Sequence, residues 1–498
     1  MLLKMEGISK NYGDVQANRQ IDYDLKPGEV HAIVGENGAG KTTLMRILYG
    51  MEQPSSGTIR IRGREAHFAD PKDAIRHGIG MVHQHFMLFQ NFTVAENIVI
   101  GQEPGKLRFD RKAAIARVEA LSEQYGIRVD PRARIVDCPL GVQQRVEILK
   151  VLYQGAEIII LDEPTGVLTP LEVGELLEAI RTLTKQGKSF ILISHKLNEV
   201  MSAADRITVL RDGEVTGVLE TSRTSVEELS RLMVGRPLAA MDKQPASPKE
   251  KVLEVRELSV FGSGSKPAVD AVSLHVRAGE IVGIAGISGN GQSELLQVIS
   301  GLTKPAQGTV SLLGTDVTGK SAREFRNAGL AHIPEDRYVW GANKAATVAE
   351  TGTMGHQRKL SKLGFLQGRA VKARVSDWIK QYAIKAGSPD NETQNLSGGN
   401  LQKLIVAREI AQRTPFLIAA EPTRGVDIGA METIHEQLLR KRDDGGAILL
   451  VSSELSEILK LSDRILVMYE GRIVGELQEG EATEEKLSLL MVGGKRNG

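Results

Sequence analysis

The chain has 498 residues, a formal net charge of +1, 41% hydrophobic and 25% charged residues, and one cysteine, Cys138. This length predicts about two to four domains, and the near-neutral balance offers no basic footprint for nucleic acid. One cysteine excludes a disulfide framework within the chain and a cysteine-rich zinc site. No apolar run reaches the ~18–20 residues that span a bilayer and the N-terminus, Met1-Leu2-Leu3-Lys4, is no signal peptide, so a cytosolic chain is expected.

In chain order, Tyr12 precedes the first strand–turn unit and is a candidate to stack on an adenine ring. Residues 30–34 read as a strand and 44–48 as a helix. Between them Gly35-Glu36-Asn37-Gly38-Ala39-Gly40-Lys41-Thr42 matches G-x-x-x-x-G-K-[ST] throughout. The glycines let successive backbone N–H groups turn inward at a helix N-terminus, where the helix dipole favours an anion. Lys41 can reach the β- and γ-phosphates of a nucleotide, and the Thr42 hydroxyl can hold Mg²⁺. Gln84, in Met81-Val82-His83-Gln84, offers a side-chain oxygen to the same metal. Residues 86–154 look more helical, with charged heptad-like stretches such as 111–125, and predict an inserted helical subdomain. Residues 157–163 read as a buried strand ending in two carboxylates. Asp162 fits a carboxylate supporting Mg²⁺, and Glu163 a general base for an attacking water. Residues 189–195 form another strand, ending in His195, which could face a γ-phosphate or be a structural histidine. At Leu396-Ser397-Gly398-Gly399-Asn400 a small-residue turn opens an amphipathic helix. There Ser397 can cap the helix, and the same exposed N–H groups can bind an anion.

An internal repeat sets the architecture. Gly28-Glu29 recurs as Gly279-Glu280, Gly50 as Gly301 and Gly57-Thr58 as Gly308-Thr309, all offset by 251. Later landmarks are offset by 258: Glu163-Pro164-Thr165 with Glu421-Pro422-Thr423, Asp205-Arg206 with Asp463-Arg464, and Met233-Val234-Gly235 with Met491-Val492-Gly493. The second copy therefore carries a net insertion of seven residues in its middle third. Short apolar runs alternate with helical patterns in each copy, so the expected fold is α/β with a largely parallel sheet. The Pro/Lys-rich stretch 236–251 reads as an exposed linker. Expected domains are 1–235 and 253–498, joined by 236–252.

Together these motifs resemble the ATP-binding cassette (ABC) family over nearly the whole chain, twice. The resemblance implies two tandem P-loop ATPase domains, each with a mainly parallel core sheet, an antiparallel β portion and a helical subdomain. It also implies ATP and Mg²⁺ as cofactors, and a head-to-tail pairing of cassettes. Each ATP would lie between one phosphate loop and the other copy's signature turn. One site would comprise Tyr12, Gly35, Asn37, Gly38, Gly40, Lys41, Thr42 and Thr43 with Ser397, Gly398 and Gly399. Its catalytic set would be Glu163, His195 and Gln84, and its metal set Thr42, Gln84 and Asp162.

The other site departs from the pattern. Its loop runs from Gly286 through Gly291, with Gln292 in place of Lys41, followed by Ser293. Gln84 is matched by Glu335, Asp162 by Ala420 and His195 by Ser453, while Glu421 is kept. The facing signature, Cys138-Pro139-Leu140-Gly141, has proline for serine, which removes an N–H donor. One hydrolytic site and one degenerate site are expected. The fused cassettes and the lysine-free second loop are similar to the ATPase subunits of nucleoside and monosaccharide importers. The stretches 80–88 and 289–295 lean to the nucleoside branch. That resemblance implies two integral-membrane permease subunits, an indirect extracytoplasmic solute-binding protein, no nucleic acid, and a location on the inner face of the cell membrane. A soluble twin-cassette translation factor is the alternative of another class.

Overall fold

A computed structural model describes residues 1–13, 15–83, 86–105, 109–166, 168, 170–194, 196–236, 243–262, 266–287, 289–362 and 365–493. The chain divides into two compact units, Met1–Leu238 and Ala239–Gly498. Gln84, His195 and most of the linker's first half (237–242) lie outside the described residues.

In the first unit, strand β1 (Val30–Gly35) is buried along its whole length and leads through the glycine loop into helix α1 (Lys41–Leu48). Helix α2 (Leu140–Tyr153) follows later in the chain, then strands β2 (Ile158–Asp162) and β3 (Ser189–Ile193), both fully buried. Runs this apolar, with no polar alternation, suit a parallel sheet covered on both faces. Across the six-stranded sheet the order is Glu214–Glu220, Arg206–Arg211, β1, β3, β2 and Ile79–Val82. All pairings are parallel except the edge hairpin of Arg206–Arg211 with Glu214–Glu220. The register sets Asp162 level with Ile193 and Ile33 level with Ile193, so β2 and β3 end together and β1 runs two residues beyond them to Gly35. A second, antiparallel sheet orders Val15–Leu25, Leu3–Tyr12, Ser56–Ile61 and Arg64–Ala66. Its inward residues, Leu3, Met5, Ile8 and Ile21, share a core with Leu44, Met45 and Leu48 of α1. The expected helical insertion consists of Val94–Val99, Arg111–Tyr125 and α2 packed on one another. Thr93 and Glu96 close a reciprocal capping box on the first of these, and left-handed Gly126 (φ 69°) ends the second.

The second unit repeats this plan with strand β4 (Glu280–Ala285), helices α3 (Gln292–Ile299) and α4 (Gly398–Ile410), and strands β5 (Phe416–Ala420) and β6 (Ala447–Val451). Its sheet order is Leu330–Ile333, β5, β6, β4, Arg464–Tyr469 and Arg472–Gln478. The added length includes a small antiparallel pair, Ser361–Lys362 with Phe365–Leu366, that has no counterpart among the described residues of the first unit.

The repeated landmarks are the scaffold's joints. Arg206 donates to Asp24 (2.8 Å) and Glu29 (3.2 Å), and Asp205 accepts from the Val30 amide (2.9 Å). Arg464 donates to Glu280 (2.8 Å), and Asp463 accepts from the Ile281 amide (2.8 Å). The later part of the predicted linker is pinned to the second unit. Lys243 donates to the Ser462 carbonyl (2.9 Å) and pairs with Asp463 and Glu479, and Arg442 donates to the Gln244 carbonyl (2.8 Å). Among the described residues no helix is long and apolar enough to cross a membrane.

Candidate functional site

The first unit's loop is shaped by close backbone approach. A Cβ on Gly35 would collide with the Leu210 carbonyl, and Gly40 (φ 95°) lies against Ala17 and Asn18, so neither position tolerates a side chain. Buried Asn18 donates its amide to the Gly40 carbonyl (3.1 Å) and fixes the turn from the antiparallel sheet. Lys41 is buried, and its ammonium folds back onto the Gly35 (2.7 Å) and Glu36 (2.9 Å) carbonyls. Burial pulls its pKa down, with Glu163, Asp162 and Glu36 opposing. Thr42, the second residue of α1, is exposed.

The carboxylates sit where the register places them, at the end of β2. Asp162 is buried and its carboxyl is pushed up to about 6, first by burial and then by the neighbouring Glu163, with Lys41 pulling the other way. Two adjacent carboxyls beside one folded-back ammonium leave a charge arrangement that a hard divalent cation relieves, so the donor set fits Mg²⁺. Glu163 takes a left-handed backbone (φ 48°) as its amide donates to the Ile193 carbonyl (3.0 Å). Tyr12 is exposed, with the Lys10 ammonium 5.1 Å from its ring centroid.

The second unit keeps the geometry and changes the chemistry. Gln292 occupies the lysine position and donates its amide to the Ile287 carbonyl (3.1 Å), a neutral copy of Lys41's inward fold. Ser293 donates its hydroxyl to Glu335 (2.8 Å), so the carboxylate missing at Ala420 is replaced from a different strand end. Glu421 repeats the left-handed turn (φ 47°) but is engaged on both oxygens, accepting from the Ser453 amide (2.7 Å) and hydroxyl (3.0 Å). Burial pushes its carboxyl up to about 7, and the Ser453 bonds oppose this.

The signature turns differ in what covers the helix start. In the second unit Ser397 caps α4, accepting from the Asn400 amide (3.4 Å) and side chain (2.8 Å), and a Cβ on Gly399 would meet only backbone, the Gly425 carbonyl at 3.4 Å and Val426 Cα at 3.5 Å, with no carboxylate against it. In the first unit Pro139 precedes α2 with no side-chain cap, and the Glu172 carboxylate lies against Gly141. A carboxylate beside a helix start disfavours a second anion there. Its counterpart under the repeat is Ala430. Glu172 was not among the residues the motifs pointed to, although the offset of 258 would have exposed the Glu/Ala exchange. Also outside the motifs are two exposed apolar clusters, Met87, Phe89 and Phe92 in one unit and Tyr338, Val339 and Trp340 in the other, of which Met87 with Tyr338 and Phe89 with Trp340 correspond under the 251 offset.

Comparison with known proteins gives the family and the fold. The family model described as ABC transporter matches residues 18–166 and 269–424. The chain is 45% identical over 500 residues to the nucleoside import ATP-binding protein NupA of Lactococcus lactis subsp. cremoris, covering 100% of this chain and 99% of the relative. It is 45% identical to the guanosine import ATP-binding protein NupO of Bacillus subtilis (100% and 99% covered) and 38% identical to the ribose import ATP-binding protein RbsA of the same species (99% and 100%). Among solved structures, an archaeal ribosome recycling factor in complex with a ribosomal stalk protein matches with a TM-score of 0.64 at 19% identity, over 95% of this chain and 90% of that one. At that identity the likeness is one of fold alone.

Proposed function

The chain belongs to the ABC transporter family and is an ATPase, and on that premise we propose that it powers a membrane importer for nucleosides. The observation carrying the solute is end-to-end identity of 45% to two relatives named for nucleoside and guanosine import, against 38% to one named for ribose import. A monosaccharide importer is the second reading, favoured by that last likeness.

ATP is hydrolysed at one site in this reading. The loop amides and Lys41 hold the phosphates, with the Lys41 ammonium leaving the Gly35 and Glu36 carbonyls for the γ-phosphate. Thr42 and Asp162, with Gln84, would hold Mg²⁺, which when bound offsets phosphate charge. Glu163, at the end of β2, accepts the proton of the attacking water, and His195 orients the γ-phosphate. Ser397, Gly398 and Gly399 close the site from the other cassette, with N–H groups at the start of α4. The second site pairs Gln292, Ser293, Glu335, Glu421 and Ser453 with Pro139 and Gly141. It binds nucleotide weakly or holds it without turnover. Support comes from both of its halves: Glu421 is held by Ser453, and Glu172 lies over Gly141.

Two permease subunits, with a solute-binding protein outside the membrane, receive the motion. The exposed triplets at Met87 and Tyr338 follow directly on the Gln84 and Glu335 positions, which suits one docking patch per cassette. The test is uptake of labelled ribonucleosides and of labelled pentose or hexose in cells carrying Lys41→Ala. Loss of nucleoside uptake alone supports the proposal, loss of sugar uptake alone moves it to the second reading, and no change overturns both.

A further inference from the structure

The stretch immediately after Glu335 lies across two functional parts of the second unit. At one end Ser293, the first hydroxyl of the lysine-free loop, donates to Glu335 (2.8 Å). Two residues on, Arg337 donates to the Arg424 carbonyl (2.7 Å), and its guanidinium rests on both neighbouring glycines. A Cβ on Gly398 or on Gly425 would lie 2.9 Å from Arg337 Nη2. Gly398 is the first residue of α4 in the signature turn, and Gly425 (φ 65°) belongs to the turn that follows Glu421. Between the two ends Asp336 accepts from the Tyr338 (2.8 Å) and Val339 (3.0 Å) amides, so the peptide is folded and not free to stretch. Beyond it, Arg408 of α4 donates to the Gly341 carbonyl (2.9 Å). The segment is thus fastened to the signature helix at its N-terminal turn and again near its far end. A planar guanidinium that packs on two glycines and bonds a carbonyl is a geometry lysine does not reproduce. In the first unit the repeat places Phe86 at this position, so the arginine accompanies the copy whose signature is intact.

We propose that Arg337 is a positioning residue for the Ser397–Gly399 turn, and that through Glu335 it transmits to that turn the state of the Ser293 loop. A nucleotide entering the lysine-free loop must engage or displace the Ser293 hydroxyl, which pulls on Glu335. Arg337, two residues away, shifts the turn against Gly425. The proposal rests on the reading that this turn completes the hydrolytic site of the Lys41 loop. It adds a route by which the non-hydrolysing loop sets the affinity and rate of the hydrolysing one.

The experiment is a double-mutant cycle on the purified full chain, reading kcat and KM for ATP. Arg337→Ala is expected to lower kcat/KM about tenfold, the size of one packing and hydrogen-bond contact to an active turn, and Arg337→Lys to restore less than half of that loss. Ser293→Ala is expected to alter kcat/KM severalfold in the wild-type background and to have no further effect once Arg337 is alanine. A purely structural arginine would instead give effects that multiply. A second readout needs no turnover. Trp340 is half exposed within the segment, whereas Trp378 is buried, so acrylamide quenching follows Trp340. In Lys41→Ala protein, MgATP should change that quenching, and the change should vanish with Ser293→Ala. Wild-type kinetics in Arg337→Ala, multiplying effects in the cycle, or Trp340 quenching indifferent to Ser293 would overturn the proposal. Full ATPase activity in Lys41→Ala would instead overturn the site reading beneath it.

Discussion

Replacing each turn glutamate by glutamine separates the two nucleotide sites. Glutamine keeps the size of glutamate, so Glu163→Gln removes the base and little else. General-base catalysis contributes at least about 100-fold, or ~2.7 kcal/mol of barrier. Phosphate release by the full chain at saturating ATP and Mg²⁺ should fall by that factor or more. Glu421 begins from a different state. Both its oxygens already accept from Ser453, and burial pushes its carboxyl up to about 7, which favours the protonated form more than at an exposed glutamate. It also lacks the company of a lysine and an aspartate, since Gln292 and Ala420 stand in those places. In Glu421→Gln the amide oxygen still accepts from the Ser453 amide, and the Ser453 hydroxyl turns to accept from the new NH₂ group. Turnover should therefore change by less than about twofold, ~0.4 kcal/mol. Equal losses in the two variants would refute the division into a hydrolytic and a degenerate site.

Glu421 also gives the second unit a pH signature. Its carboxyl is raised from 4.5 to about 7, so between those values the folded state binds more protons than the unfolded one, and stability falls as pH rises through this window. The loss is at most about 3 kcal/mol. Urea midpoints at pH 5 and pH 7.5 should differ less in Glu421→Gln than in wild type, and an unchanged difference would count against the burial of that proton. Glu172→Ala should uncover the helix start at Gly141. In a Lys41→Ala background, binding of a fluorescent ATP analogue at the remaining loop should tighten severalfold, by about 1 kcal/mol for a removed like charge at a helix terminus. Unchanged affinity would mean the carboxylate does not oppose the ligand. Phe89→Ser and Val339→Ser should each reduce solute uptake while leaving the ATPase activity of the free chain unaltered. Parallel loss of both activities would remove these side chains from the docking patch.

Much of the scaffold was legible because its periodicities are local. A buried run such as 158–162, bounded by turns, identifies a parallel-sheet strand. The lysine loop is contiguous, so eight adjacent residues specify its shape. The repeat offsets marked Glu29, Arg206, Glu280 and Arg464 before any pairing between them was visible. Contacts between distant segments were not legible. Arg337 and Arg424 are 87 residues apart, and no short pattern joins them. The sequence shows Glu335 as the counterpart of Gln84 but not its hold on Ser293, because sequence carries the charge but not the direction of a hydroxyl. Residues 236–251 have the polar, proline-containing composition of a free linker. The anchoring of Lys243 depends on Asp463 and Glu479, more than two hundred residues further on.

The duplicated ion pairs have an evolutionary consequence. Arg206 with Asp24 and Glu29, and Arg464 with Glu280, hold the start of the strand that leads to each glycine loop, at the end away from the loop, and none of these side chains forms the loop itself. After a gene duplication, such a division lets one copy shed its enzymatic residues by drift without forfeiting its architecture. In the two-site reading proposed above, Gln292, Ala420 and Ser453 would be substitutions of that kind, each accommodated on an unbroken frame. Selection on the second copy can then act on what it does for its neighbour, and a fused pair of once-equivalent engines becomes an engine and its governor.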